Sequence, residues 1–242
     1  KNWRDNGSYR YTNKTWGYEA IGRFDSWEQI ANYPVDNDRK GNRTVVPGDI
    51  MYKDQNNDGV INYLDERPIG YRVDSTPTLN FGINLSASWK GFDLAMDWTG
   101  SGMTSWNQCY ETARPFQNDG NSPDEVLKDA WHLSDIWDAN SPLIPGKYPM
   151  VRLNTDETSA YDKSSYWLHN VTYLKLRNLE VGYTFPKTWL NRTGISNLRL
   201  FVSGTNLLTL SNLSVMDPEC ASDNGLDYPP MRVINIGVNL KF

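Results

Sequence analysis

The sequence predicts an all-β fold, a transmembrane antiparallel β-barrel segment. Three observations carry that prediction: long stretches that alternate apolar and polar residues, an aromatic-rich but weakly hydrophobic composition, and short connections that alternate with long ones. Hydrophobic residues make up 38% of the 242, yet aromatics reach 13%, with 10 Trp and 14 Tyr. A barrel wall accounts for that mixture. Only one face of each strand meets lipid, the lumen and loops are polar, and aromatic girdles sit at the two interfaces. No stretch approaches the roughly 20 consecutive apolar residues that a helical span needs.

The clearest alternation runs from Leu79 to Trp89, with Leu79, Phe81, Ile83, Leu85, Ala87 and Trp89 on one face and Asn80, Gly82, Asn84, Ser86 and Ser88 on the other. Lys90 and Gly91 supply a tight turn, after which Phe92, Leu94, Met96 and Trp98 resume the pattern, so the two arms read as a hairpin. Arms of about 10 residues match a tilted membrane strand better than a soluble one. Three further strands are expected. Leu179, Val181, Tyr183 and Phe185 alternate until Pro186, which cannot donate to a ladder. Leu198, Leu200 and Val202 define the next strand, with less clean faces, and Ile234, Ile236, Val238, Leu240 and Phe242 define the last.

The chain thus divides into a long outer loop region over residues 1–78, a barrel hairpin over 79–102, a second long loop over 103–172, and three strands with one outer loop over 173–242. Five strands cannot close a barrel, and an open sheet in lipid leaves backbone groups unpaired at several kcal/mol each. The chain is therefore expected to be part of a larger barrel. The competing reading is a soluble β-sandwich, calcium-stabilised and carbohydrate-binding, whose strands would show the same alternation with one wet face.

A formal net charge of -5 argues against a nucleic-acid partner, which a basic surface would hold. Cys109 and Cys220 show no metal spacing, and either one disulfide or two thiols fits them. Catalytic signatures are missing: His132 and His169 lack an HExxH context, and there is neither a GxSxG elbow nor a phosphate loop. No enzyme activity and no catalytic residue is expected.

The sharpest local motif runs from Asp54 to Asp65. Asp54, Asn56, Asp58 and Gly59 fit the calcium-loop pattern, the Val60 carbonyl falls at the seventh position, Asn62 at the ninth and Asp65 at the twelfth. Oxygen donors at alternate positions suit a hard cation, and a structural Ca²⁺ that stiffens an outer loop is the expectation. The twelfth position departs from the pattern, since Asp is shorter than the usual Glu; Glu66 stands beside it as a substitute. An Asx-rich turn without metal is the alternative.

The loop over 103–172 holds many rings. Trp106, Tyr110, Trp131 and Trp137 are candidates to stack on substrate, and packing of the loop on itself is the competing role. Ser122 to Glu125 predict a helix start with a capping box that leads into Val126 to Trp131, and a second short helix is expected around Ser26 to Tyr33.

Several stretches, taken in order, resemble the SusC-like TonB-dependent transporters of the Bacteroidetes outer membrane: Phe24 to Pro34, Pro47 to Asp65, Trp89 to Leu94, Tyr173 to Pro186, Gly194 to Thr209, and Tyr228 to Phe242. The resemblance implies the C-terminal five strands of a barrel of about 22. It also implies import of an oligosaccharide or peptide across the outer membrane, a SusD-like lipoprotein partner, and energy from TonB through a plug that would lie upstream of Lys1. Outer-membrane lipid would bathe the apolar strand faces.

Overall fold

The computed structural model describes residues 10, 12–73, 76–153, 157–191, 194–219, 224–225 and 227–242. In chain order they form β1 (Lys14–Gly17), β2 (Ala20–Arg23), α1 (Trp27–Ala31), β3 (Ile50–Tyr52), β4 (Arg67–Tyr71), β5 (Leu79–Trp89), β6 (Phe92–Asn107), α2 (Asp124–Lys128), β7 (His132–Leu133), β8 (Leu143–Ile144), β9 (Leu168–Thr184), α3 (Lys187–Leu190), β10 (Asn197–Ser211) and β11 (Val233–Lys241). Among the described residues no helix is long and apolar enough to cross a membrane. The chain divides into two compact units. A loop unit comprises Lys1–Asp74, Ser105–Asn170 and Ala221–Leu226, and a strand unit comprises Ser75–Thr104, Val171–Cys220 and Asp227–Phe242.

The strand unit is built on a five-stranded sheet in the order β11-β10-β9-β6-β5. The expected hairpin is present: β5 and β6 pair antiparallel from Trp89 opposite Phe92 to Leu79 opposite Gly102. Lys90 and Gly91 both have positive φ, 47° and 90°, the signature of a two-residue turn whose twist matches the flanking strands. Glycine is required at the second position for a further reason. A Cβ there would meet the Thr184 carbonyl oxygen at 2.7 Å.

Two strands are longer than their apolar alternation. β6 has 16 residues and β9 has 17, and both continue past the region where every second side chain is apolar. Backbone pairing sustains the ladder through Gly100, Ser101 and Gly102, where no apolar pattern remains to be read. The less clean faces over Leu198 to Ser203 come from Phe201, whose ring lies on the polar face of β10 against Gly237 and under the Arg199 guanidinium. Further along, the register with β9 shifts between Thr205 and Leu208, where Asn206 takes φ 53° and two residues oppose one.

Register places the apolar residues together. Phe81 lies opposite Gly100, Ile83 opposite Trp98, Leu85 opposite Met96, and across the other end Leu200 pairs with Tyr183 and Val238, and Val202 with Val181 and Ile236. Most of the large apolar side chains on this face are uncovered, from 43% exposed at Phe81 to 83% at Ile236, with Met96, Trp98 and Tyr183 half-buried. A sandwich would bury these side chains against a second sheet, so the soluble reading loses its core.

The loop unit has its own core, which the alternation did not reveal because its strands run only two to five residues. β1 pairs with β4, β2 with β3 and β7 with β8, all antiparallel. Tyr18, Ile50, Tyr52, Ile61, Val126, Tyr148 and Trp167 pack at its centre, and the Trp167 indole donates to the Ala160 carbonyl at 2.8 Å. Asn37 is fully buried and acts as a strand neighbour: its amide donates to the Ile50 carbonyl at 3.0 Å and its oxygen accepts from the Tyr52 N–H at 3.0 Å.

The helix expected near Ser26 forms as α1, with the Ser26 hydroxyl accepting from the Gln29 N–H at 3.2 Å. The expected capping box before α2 does not form. Pro123 occupies the cap position and its carbonyl accepts from the Val126 N–H, while the Ser122 hydroxyl points to that same carbonyl. α2 also stops at Lys128 rather than running to Trp131, because Tyr148 pairs with Asp129 and Trp131 through the backbone and holds that stretch extended.

Candidate functional site

Polar residues collect on the face of the sheet opposite the apolar one. Asp93 and Asp97 on β6, Glu180 on β9, and Arg199 and Ser203 on β10 all alternate away from the apolar set. Their side chains are joined across strands. The Arg199 guanidinium donates to Asp93 at 3.1 Å and to Glu180 at 2.6 Å, and Asn178 donates to Asp97 at 3.1 Å. A cavity of about 340 Å³ lined by Asp97, Asn178, Glu180, Ser203 and Thr205, among others, opens on this unit. Such a wall offers donors and acceptors to a polar solute.

Sequence reasoning missed a second cluster. Lys175 on β9 is 1% exposed in its side chain, and its ammonium lies 2.9 Å from both Asp217 and Glu219 in the segment that follows β10. Arg177 also pairs with Glu219 and donates to the Thr99 hydroxyl at 2.9 Å. The available signal was the run Tyr173 to Glu180, where Lys175, Arg177 and Glu180 interrupt an otherwise membrane-like strand. Charges in such a strand need an inward face and partners.

In the loop unit the calcium-type loop is formed. Oxygens of Asp54, Asp58 and Asp65 lie within 4.8 Å of one another. Backbone donors shape the loop: Asp54 accepts from the Asn57 and Gly59 N–H groups at 2.6 and 2.8 Å, and Asp65, fully buried, accepts from those of Gln55 and Asn62 at 2.8 Å each. Gly59 takes the positive φ of 84° that the sharp turn requires. Val60 and Ile61 are held from outside, since the Asp36 N–H donates to the Gly59 carbonyl and the Asp36 carbonyl accepts from the Ile61 N–H.

The remaining expected donors are arranged less uniformly. Asn56 and Asn62 both donate to Asp58, at 2.8 and 3.3 Å, and Asn62 caps the turn Tyr63–Asp65. Glu66 does not substitute for the short Asp65. Its carboxylate pairs with Arg10, since Glu66 leaves the turn Tyr63–Asp65 in extended backbone while Asp65 faces into the loop. Three convergent carboxylates with no ammonium or guanidinium among them in the described residues repel one another, and the donor set fits a hard divalent cation.

The four candidate rings separate by burial. Trp106 is 4% exposed and stacks on His169 with centroids 5.5 Å apart, and Trp131 is 6% exposed beneath the Arg23 guanidinium. Both serve packing in this structure. Tyr110 is exposed, and Trp137 is 90% exposed. Cys220, the second half of the cysteine pair, lies outside the described residues.

No family model matches the sequence. TonB-dependent receptor P3 of Formosa agariphila is 30% identical over 242 residues, covering 93% of this chain and 22% of the receptor, and receptor P26 of the same organism is 27% identical with the same coverage. TonB-dependent receptor SusC of Bacteroides thetaiotaomicron is 31% identical over 84 residues, 33% of this chain and 8% of that protein. Among solved structures, the RagAB peptide transporter superposes with a TM-score of 0.61 at 22% identity, covering 96% of this chain and 23% of that one. The chain therefore spans less than a quarter of its relatives' length. With the likeness to receptor P3 running over nearly its whole length and its fold that of a segment of a solved transporter barrel, the chain is homologous to a segment of TonB-dependent receptors.

Proposed function

We propose that the chain is part of the wall and outer loops of a bacterial outer-membrane importer of glycan or peptide. The observation that carries this reading is the division of the five-stranded sheet into an uncovered apolar face and an opposite face whose charges are cross-linked by Arg199. Hydrocarbon would meet the first and the solute's aqueous route the second. Trp89, Phe92, Tyr183, Phe185 and Trp189 gather near the Lys90–Gly91 turn and would form one interfacial girdle; Phe92 and Tyr183 lie 4.6 Å apart. A SusD-like lipoprotein would close the outer side, and TonB would supply energy through a plug outside this chain.

Asp54, Asn56, Asp58, the Val60 carbonyl, Asn62 and Asp65 would hold Ca²⁺, fixing the loop by neutralising its three carboxylates. The ion has a structural role in this reading and takes no part in chemistry. Uptake by cells that carry the whole receptor tests the function. Fluorescent oligosaccharides and oligopeptides should enter only when both TonB and the partner lipoprotein are present. Entry that persists without TonB would mark a passive pore and refute the importer reading.

A further inference from the structure

In the loop unit the segment between β7 and β8 is a braced stalk with an apolar tip. Its base rests on the core: Trp131 donates to the Tyr148 carbonyl at 2.9 Å, and Tyr148 is 1% exposed. Above the two-residue ladder, Ser134 donates to the Pro142 carbonyl at 2.9 Å, and the Ser141 hydroxyl donates to the Asp135 carbonyl at 2.9 Å. The Asp135 carboxylate accepts from the Trp137 N–H at 2.9 Å, and the Asp138 carboxylate from that of Asn140 at 2.9 Å. A loop so tied does not splay its side chains by chance. Yet Ile136 is 72% exposed and Trp137 90%.

We infer that Ile136 and Trp137 form the anchor of a protein-docking tip, and that its partner presents an apolar pocket rimmed by lysine or arginine. Both side chains stand out from the surface rather than inside an enclosed pocket of the kind that buries a small ligand. Trp in a preorganised position is the residue type that dominates protein interfaces, since little entropy is lost when it seats. Charge chooses the partner. Asp135 and Asp138 flank the two apolar side chains, both are exposed, and neither forms an ion pair among the described residues. An anionic lipid surface would repel them, and so would the same acidic tip of a second copy. A basic rim would complement them. The inference goes beyond the transport reading and stands or falls whether or not the strands carry solute.

The test uses the whole receptor in cells, with photoreactive benzoylphenylalanine in place of Trp137 and the crosslinked residue mapped by mass spectrometry. The expected product is one protein, linked at an apolar residue with lysine or arginine neighbours. Its yield should fall about fivefold or more with D135K/D138K, on the scale of close interfacial charge pairs, while the receptor's surface level and thermal midpoint stay unchanged. The purified partner so identified should then bind the Trp137→Ser receptor about tenfold more weakly or worse. Links only to lipid, links only to a second receptor, a protein site without a basic rim, or no link from a correctly assembled receptor would each overturn the inference.

Discussion

Arg199 on β10 and Asp93 on β6 are hydrogen-bonded across the intervening β9 strand, 106 positions apart in sequence, with Glu180 on β9 held by the same guanidinium. One side chain thus ties three strands on their polar face. Arg199→Ala leaves two carboxylates side by side, and the assembled protein is expected to melt earlier than wild type. Arg199→Lys should recover only part of the loss, because a point charge cannot bridge two carboxylates as the planar fork does. Melting of the whole receptor in detergent checks both.

The hairpin turn has a narrow requirement. Gly91→Ala introduces a Cβ at φ 90° and 2.7 Å from the Thr184 carbonyl, so it should destabilise the strand unit by about 1–3 kcal/mol. Lys90→Asn, at φ 47°, should be neutral or mildly stabilising. The thermal midpoint of Gly91→Ala should fall below the wild-type value, and that of Lys90→Asn should lie at or slightly above it.

Asp38 in the loop unit governs an acid-sensitive turn. Burial pushes its carboxyl up, but N–H donors from Lys40, Asn42 and Thr44 and the Thr44 hydroxyl outweigh that and hold it at about 2. A carboxyl lowered in the folded state contributes stability above its unfolded value, and that contribution is lost as pH falls from about 4 towards 2. Asp38→Ala should cost about 1–2 kcal/mol near neutrality, as loss of a capping acceptor does, and flatten this part of the stability profile. Denaturant midpoints at pH 7, 4 and 2.5 measure it.

Two carboxylates of the calcium-type loop should behave differently. Asp58 is exposed and faces the other carboxylates, so Asp58→Ala should abolish the rise in melting temperature on adding Ca²⁺ and leave the chelated protein nearly unchanged. Asp65 is buried and accepts two backbone N–H groups, so Asp65→Ala should destabilise the loop even in chelator, by about 1–3 kcal/mol for the donors left unpaired. Calorimetric titration with Ca²⁺ and melting with and without chelator separate the two.

What the sequence made legible follows from the length of each pattern. β5 and β11 repeat their alternation over 11 and 9 residues, and the loop from Asp54 to Asp65 has fixed spacing, so both could be read directly. The paired strands at Lys14 and Arg67, or Ala20 and Ile50, are too short to show a period, and their partners are distant in the chain. Trp106 and Trp131 illustrate a second limit: a ring in a long loop reads the same whether it faces substrate or core, and only their burial decides. The Lys175 cluster was hidden because its acids, Asp217 and Glu219, lie in a segment with no periodic pattern.

The central claim is that the two faces of this sheet meet different solvents. Single cysteines placed at Ile83 and Ile236 on one face, and at Asn84 and Asn235 on the other, can be challenged in the whole receptor in membranes with a charged, water-soluble thiol reagent. The Asn84 and Asn235 positions are expected to react, and the Ile83 and Ile236 positions to stay protected until detergent replaces the lipid. Equal reaction of all four, or protection of the Asn positions alone, would contradict the claim.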